Sequence, residues 1–248
     1  MSPGDLAHRW SHVPARTASV AGVAPHVTIR RAQPADLPAA AALLRQSLEF
    51  RAADAVPAWL MRTTGDCGGL TLVAVADDAV VGVSYAFPGW ADGTQFLFSC
   101  GLAVAAEHRG RRLGLHLKLA QRDAAIALGY SVIRWTTDPV NGRALRLYLS
   151  GLGALITAYR PSLHDGLRAD PGHPQDDLDV VWQLAGEPRV DRDHVCHVEV
   201  PWSSATAADR ARVREGMSAL LSDGHVGLAV ELDPAAQRCH VAFARTRA

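Results

Sequence analysis

A glycine- and arginine-rich segment joins an apolar strand to a helix near the middle of the chain. Residues 107–122 contain four arginines and two glycines, and they follow the apolar stretch LAV at residues 102–104. The apolar residues that come next recur at helical spacing, which predicts a helix over about residues 112–128. A chain that enters a helix here exposes the first N–H groups of that helix at the positive end of its dipole. The segment is therefore typical of an anion-binding site.

Both residue types in this segment suit a phosphate. Gly110 and Gly114 would let it approach the backbone, while Arg109, Arg111 and Arg112 would donate charged hydrogen bonds. The apolar face of the helix, expected to be buried, consists of Leu113, Leu117, Ala120, Ala124 and Leu128. The P-loop and dinucleotide fingerprints are excluded by the residue spacing. Taken alone, a solvated basic helix start explains the segment about as well, so its context must decide.

Composition narrows the partners and the compartment. Basic and acidic residues number 25 each, so no overall positive field attracts nucleic acid or a membrane surface, and we expect neither as a partner. The four cysteines form no CxxC pair, which favours free thiols in a reducing compartment. We see no secretion signal and no apolar run long enough to span a bilayer. These features together predict a cytoplasmic protein.

The apolar pattern predicts an α/β protein in three parts. Residues 1–26 are expected to form a flexible N-terminal extension. Residues 27–187 give the order strand, helix, helix, three-stranded antiparallel meander, basic loop, helix, strand, helix, strand, followed by a loop and a last strand. Residues 188–248 predict a C-terminal extension or subdomain of strand, helix, strand and strand. The expected architecture is a central mixed, mostly antiparallel sheet flanked by helices.

This order of elements, together with the motif Arg109-Gly-Arg-Arg-Leu-Gly114, resembles the GNAT (GCN5-related N-acetyltransferase) superfamily. The resemblance implies the GNAT acyltransferase fold and acetyl-CoA, or another acyl-CoA, as co-substrate. It implies that the loop binds the pyrophosphate through the segment 109–114, including Arg111 and Leu113, and that the main chain of Leu102, Ala103 and Val104 binds the pantetheine arm. One position departs from the family pattern, because Arg112 stands where the family usually has its middle glycine.

A narrower stretch is similar to an uncharacterised branch of predicted bacterial GNAT acyltransferases. It covers residues 102–139, where an Arg-Trp-Thr strand ends in Asp138-Pro139, and a later Leu-Gly-Ala at residues 152–154. Members of that branch are thought to acylate amino acids or other small amines, sometimes from succinyl-CoA. The resemblance therefore implies an N-acyltransferase for a small-molecule amine. No metal is expected, because His164, His173 and the aspartates near them match no zinc or calcium spacing.

The resemblance also implies where the chemistry takes place. Gly101, inside an apolar strand, would mark a bulge that aims an N–H group at the thioester carbonyl; a glycine that admits a bulky neighbour is an equal alternative. Because residues 94–104 contain no carboxylate, Ser99 is left as a group that would hold a water, although a structural role is the simpler interpretation. Tyr148 would reprotonate the CoA thiolate, although it lies one residue before the usual tyrosine position at Leu149, and a packed core tyrosine is the simpler interpretation.

Two further residues are candidates for acceptor binding. Asp138 ends a predicted strand, where it would meet a substrate ammonium, although Asp-Pro also begins an ordinary turn. Trp135 would line the acceptor pocket, although core packing explains it as well.

The sequence leaves several alternatives open. A non-catalytic GNAT-fold protein that binds CoA as a sensor or scaffold would suit Arg112 and the displaced tyrosine, and an O-acyltransferase would differ only in its acceptor. The acceptor, the acyl group, the general base and the oligomeric state are not given by the sequence, and a homodimer is one option.

Overall fold

The structure, a computed structural model, describes residues 27–48, 51–91, 93–165, 172–186, 190–191, 193–202 and 204–246. These residues form two compact units, 27–133 and 134–246. The expected extension over residues 1–26 lies outside the described residues, as do residues 187–189 at the expected start of the C-terminal part. The boundary at residue 187 therefore stays a prediction.

The first unit is built on four antiparallel strands that pair in chain order: β1 (Thr28–Arg31), β2 (Leu70–Ala76), β3 (Ala79–Ala91) and β4 (Thr94–Val104). Asp77 and Asp78 connect β2 to β3 with φ of 46° and 62°. Two consecutive left-handed residues match the twist of a tight hairpin. The meander expected from the sequence is thus present.

Helices cover both faces of this sheet. α1 (Leu37–Ser47) and α2 (Ala58–Asp66) share a buried apolar cluster with alternate residues of β3, among them Val83 and Tyr85. α3 (Leu113–Ala127) packs on β2, β3 and β4. Because neighbouring strand residues face opposite sides, Ser84 of β3 points to α3, where it meets Gln121. The helix predicted at residues 112–128 is confirmed to within one residue at each end.

The second unit continues from β5 (Val132–Thr137), whose first two residues belong to the first unit. A short helix, α4 (Gly142–Arg146), runs into a π-helical turn, Leu147–Gly151. The remaining elements are β6 (Leu155–Arg160), β7 (Asp177–Gln183), β8 (Cys196–Pro201), α5 (Ala207–Ser222), β9 (His225–Asp233) and β10 (Arg238–Arg245). The strand order in this unit is β5, β7, β6, β9, β10, β8.

The C-terminal elements pack tightly against the rest of the second unit. Ser150 Oγ accepts from Val230 N at 2.9 Å, which ties the π-helical turn to β9. Arg214 of α5 donates two hydrogen bonds to the buried Asp176, which also accepts from the Tyr159 hydroxyl. The expected C-terminal order of strand, helix, strand and strand is confirmed, and it belongs to the same compact unit as β6 and β7.

Candidate active site

The basic loop enters α3 through two left-handed residues. Gly110 has φ of 76°, and Arg112, the N-cap of α3, has φ of 59°. Arg112 thus adopts the conformation that glycine reaches without strain, at the position where the family usually has glycine. Among the described residues, the Arg112 side chain makes no capping hydrogen bond. The first N–H groups of the helix therefore remain available to a ligand.

The arginine side chains of the loop differ in their contacts. Arg109 donates from Nε to the Val104 carbonyl at 3.0 Å, which anchors the loop to the end of β4. Arg111 and Arg112 are exposed at the helix start. Burial and the nearby charge of Arg112 lower the pKa of His116 in the first turn of α3. Burial is the larger of these two causes, and the Arg112 charge adds to it; the N-terminus of a helix is in addition the end that favours an anion.

A β-bulge interrupts β4 beside Gly101. The β3–β4 register pairs Tyr85 with Gly101 but Ala86 with Ser99, so Cys100 is an additional residue on β4. A Cβ atom on Gly101 would lie 2.7 Å from Leu44 Cδ2 of α1. Both expectations for this glycine therefore meet here: it lies at a bulge, and it admits a bulky neighbour. A bulge re-aims backbone groups that would otherwise belong to the ladder.

The other predicted residues of β4 and the loop differ in burial. Ala103 and Leu113 are buried, so their side chains pack in the core, while Leu102, Val104 and Gly114 are partly exposed. Leu102, Ala103 and Val104 pair with β3. If these residues contact a ligand, they would consequently do so mainly through their backbone N–H and C=O groups.

Ser99 belongs to a buried polar network that the sequence did not reveal. Lys118 of α3 donates from Nζ to Ser99 Oγ and to Gln121 Oε1, each at 3.0 Å, and Gln121 Nε2 donates to Ser84 Oγ at 2.7 Å. The buried face of α3 departs from the expected one: it includes Lys118, Gln121 and Ala125, whereas Ala120 and Leu128 are partly exposed. The available signal was a single lysine placed beside an apolar helical stripe.

Tyr148 and Trp135 are neighbours in the second unit. Their ring centroids lie 5.0 Å apart in an edge-on arrangement, and Trp182 packs on Trp135 at 6.4 Å. Trp135 is 3% exposed, so it offers little surface to a ligand. Burial raises the pKa of Tyr148 to about 12, which keeps its hydroxyl protonated at neutral pH. Tyr148 lies in the π-helical turn.

The π-helical turn affects the comparison of Tyr148 with the usual tyrosine position, which was counted to residue 149. A π-helical turn holds one more residue than an α-helical turn. Counting back from Leu-Gly-Ala at residues 152–154 therefore stops one residue short when it crosses Leu147–Gly151. Leu149, the position reached by that count, is buried in the core at 2% exposure. The additional residue accounts for a tyrosine at 148.

Asp138 closes β5 as the first residue of a turn. Its Oδ1 atom accepts from Val140 N at 3.0 Å and lies 3.4 Å from Arg210 Nη1 of α5. The turn expected from Asp-Pro is present, and the carboxylate already has a cationic neighbour. Both side chains keep part of their surface exposed, 29% for Asp138 and 22% for Arg210.

The predicted site residues thus fall into two groups. Ser99, Gly101 to Val104 and the loop 109–114 lie in the first unit, whereas Trp135, Asp138 and Tyr148 lie in the second. Within the described ranges, no three His, Cys, Asp or Glu side chains are grouped as metal ligands. No described helix is both long and apolar enough to cross a membrane.

Comparisons with known proteins agree with this architecture. The model of the acetyltransferase (GNAT) family matches residues 38–154. No curated protein matches the chain. The solved structure of yncA, a putative acetyltransferase from Salmonella typhimurium with its cofactor acetyl-CoA, has a TM-score of 0.54 and 23% identity, over 65% of this chain and 96% of its own.

Two further structures share the fold. The NatC complex bound to Gag peptide and CoA matches with a TM-score of 0.53 and 14% identity, over 64% of this chain and 99% of its own. Aminoglycoside 6'-acetyltransferase type Ii matches with a TM-score of 0.51 and 19% identity, over the same shares. Identities this low show the fold alone. Residues 38–154, a little under half of the chain, match the model of the acetyltransferase (GNAT) family, and the fold agrees with that match.

Proposed function

We propose that this protein is an acyl-CoA-dependent N-acyltransferase that moves an acetyl or succinyl group to the amine of a small molecule. The observation that carries the proposal is the entry into α3. Its left-handed Gly110 and Arg112, its exposed arginines and its uncapped helix start form an anion site within a GNAT-family domain. The solved structures of yncA and NatC contain acetyl-CoA and CoA, respectively, which supports the choice of donor.

The loop residues fit a diphosphate. Gly110 and Gly114 would allow close approach, Arg111 and Arg112 would add charge, and Arg109 would keep the loop in place through Val104. Arg112 has the left-handed backbone that a glycine adopts without strain, so its N–H group could serve as that of the middle glycine would.

Acyl transfer needs a donor to the thioester oxygen and an acid for the leaving thiolate. The bulge at Cys100 and Gly101 supplies backbone groups released from the β3 ladder, and one oxyanion donor contributes about 3 kcal/mol in other acyl-transfer enzymes. Tyr148, protonated at neutral pH, would reprotonate the thiolate. The π-helical turn supports this role because it accounts for the shift from position 149.

The acceptor class rests on weaker support than the donor. The fold neighbours include a complex bound to a peptide and an enzyme for aminoglycosides, so the fold does not select a class. Asp138 would bind a substrate ammonium beside Arg210, and Trp135 would pack behind Tyr148. Asp138 keeps part of its side chain exposed, which leaves it accessible to an amine.

Calorimetric titration with acetyl-CoA and succinyl-CoA tests the donor. We expect wild type to bind at least one of them and Gly114→Trp, which places an indole at the helix start, to bind neither. Arg122→Ala, a change in the later part of the same helix, serves as the control and should bind normally. A panel of small amines with detection of free CoA thiol then tests turnover. Binding without thiol release from any amine would favour the sensor or scaffold alternative.

A further inference from the structure

Lys118 is the only lysine in the chain, whereas the other basic residues, apart from histidines, are all arginines. It is 1% exposed, in the middle of the buried face of α3. A buried lysine is chemically distinct from a buried arginine, because an amine loses its proton readily when desolvated and a guanidinium does not. The only lysine of the chain therefore buries an amine, a group that can lose its proton.

The surroundings of Lys118 favour the neutral amine. Two of its hydrogen bonds go to uncharged groups, the Ser99 hydroxyl and the Gln121 amide. Strands β2, β3 and β4, on which α3 packs, contain no Asp, Glu, His, Lys or Arg. Burial lowers the pKa of Lys118 to about 7. The amine can therefore accept a proton near neutral pH.

Other titratable groups on these elements are few. Tyr85 of β3 and Cys100 of β4 pack in the cluster on the α1 side of the sheet, and burial raises the pKa of each. On α3 itself, His116, Arg122 and Asp123 are partly exposed. Asp123 accepts hydrogen bonds from Arg122.

Ser99 is the residue of the network with the largest exposed fraction. Ser84 and Gln121 are 0% exposed and Lys118 is 1% exposed, while Ser99 is 7% exposed. Ser99 also precedes the bulge at Cys100 and Gly101, where we place the thioester carbonyl. The Ser99 hydroxyl thus accepts a hydrogen bond from the buried amine, and Ser99 adjoins in sequence the part of β4 assigned to acyl transfer.

We propose that Lys118 accepts the proton that the acceptor amine loses before it is acylated, and that Lys118 acts through the Ser99 hydroxyl. This inference rests on the proposed N-acyltransferase function. The acceptor ammonium gives a proton to Ser99 Oγ, directly or through one water, as the Ser99 proton passes to Lys118 Nζ. The neutral amine then attacks the thioester carbon, the C–S bond breaks, and the nitrogen proton released on amide formation ends on the CoA sulfur. Protonated Lys118 returns its proton to solvent.

The first test measures the proton on Lys118 without any substrate. Incorporation of ¹³C-lysine gives a single lysine Cε resonance, because the chain has one lysine. We expect this resonance to titrate near pH 7. A resonance that stays that of the ammonium form above about pH 9 would overturn the relay, whether or not the enzyme turns over.

The second test uses acceptor basicity, which a structural lysine would not affect. Ethylamines with zero to three fluorine atoms have similar shape and progressively lower basicity. We expect Lys118→Met to reduce kcat for ethylamine about 100-fold at pH 7 and to have little effect on trifluoroethylamine, which is already neutral. An equal loss for both amines, or an unchanged pH profile, would refute the role of Lys118.

Variants of Ser99 separate the relay from packing. Ser99→Ala should show the same dependence on amine basicity as Lys118→Met, and Ser99→Thr, which retains a hydroxyl, should restore most of the activity. Arg122→Met removes a cation from the exposed side of α3 and should match wild type. Absence of turnover by wild type with every amine would refute the proposed function. If wild type turns over an amine and Lys118→Met turns it over equally well, only the relay is refuted.

Discussion

A single buried amine makes the stability of this protein depend on pH. Because the folded pKa of Lys118, about 7, lies below the usual value of 10.5, the unfolded chain binds more protons between these two values. The free energy of unfolding should therefore rise with pH across this window, by at most about 1.4 kcal/mol per pH unit. Urea unfolding of wild type and Lys118→Met from pH 6 to 10 checks this. Parallel curves for the two proteins would contradict it.

The four cysteines should divide into two reactive and two inert thiols. Cys67 and Cys196 are exposed, whereas burial raises the pKa of Cys100 and raises that of Cys239 to about 11. Because the thiolate is the reactive form, we expect two thiols to react rapidly with an aromatic disulfide reagent in the native protein and all four to react in denaturant. A third rapid thiol without denaturant would show that one of the buried sites opens.

Sequence patterns predicted residue types better than residue environments. The arginine-glycine loop could be located because its motif is local, and Gly101 indicated the bulge. Lys118 could not be assigned, because its hydrogen bond with Ser99 and that of its neighbour Gln121 with Ser84 join α3 to strands of the sheet. Helical periodicity alone placed Ala120 and Leu128 on the buried face instead of Lys118 and Gln121.

The entry into α3 is the element whose backbone is most specialised. Gly110 and Arg112 are left-handed, and a Cβ atom added to Gly110 would meet no atom within 4 Å. A non-glycine residue pays about 1 kcal/mol or more for this conformation. The cost of a substitution here would consequently come from the backbone and not from collisions.

We therefore expect opposite effects from two substitutions in this element. Arg112→Gly should raise the free energy of unfolding by about 1 kcal/mol, and Gly110→Ala should lower it by about the same amount. Gly65→Ala in α2, where an added Cβ is also unobstructed, is the control and should stabilise the helix slightly. Thermal unfolding measures all three. Destabilisation by Arg112→Gly would mean that the Arg112 side chain makes a contact worth more than the strain.

The elements themselves were largely predictable. Strands and helices have clear periodicity, so their order was confirmed, with bounds shifted by a few residues. The single helix expected between β5 and β6 is instead α4 followed by a π-helical turn. A π turn has no sequence signal of its own, because it depends on where the following strand is held, here partly by the bond between Ser150 and Val230.

At the scale of the whole molecule, the described C-terminal elements complete the second compact unit. β9 pairs with β6 through Ile156 and Gly227, and a Cβ on Gly142 would lie 2.8 Å from both Cys239 Sγ and the Pro201 carbonyl oxygen. Arg214 neutralises the buried Asp176. The sequence could not predict this integration, because each contact joins residues that are far apart in the chain.

A chain that ends at residue 187 tests this integration. It would leave β6 without β9, and it would leave the buried Asp176 carboxylate without Arg214. We expect this fragment to lose cooperative thermal unfolding, whereas full-length Arg214→Met should unfold cooperatively at a lower temperature. A fragment that melts like the full chain would instead support an independent domain ending at residue 187.

The burial of Lys118 also affects how acyl-CoA, the proposed co-substrate, would react with the protein itself without catalysis. Acyl thioesters modify exposed amines without any catalyst, and each such event erases a positive charge. Every other fixed cation among the side chains is a guanidinium, which remains protonated and is a poor nucleophile. The side chains on the surface thus offer no primary amine to spontaneous acylation. A protein that turns over acyl-CoA with this composition would keep its surface charge through prolonged exposure to the donor.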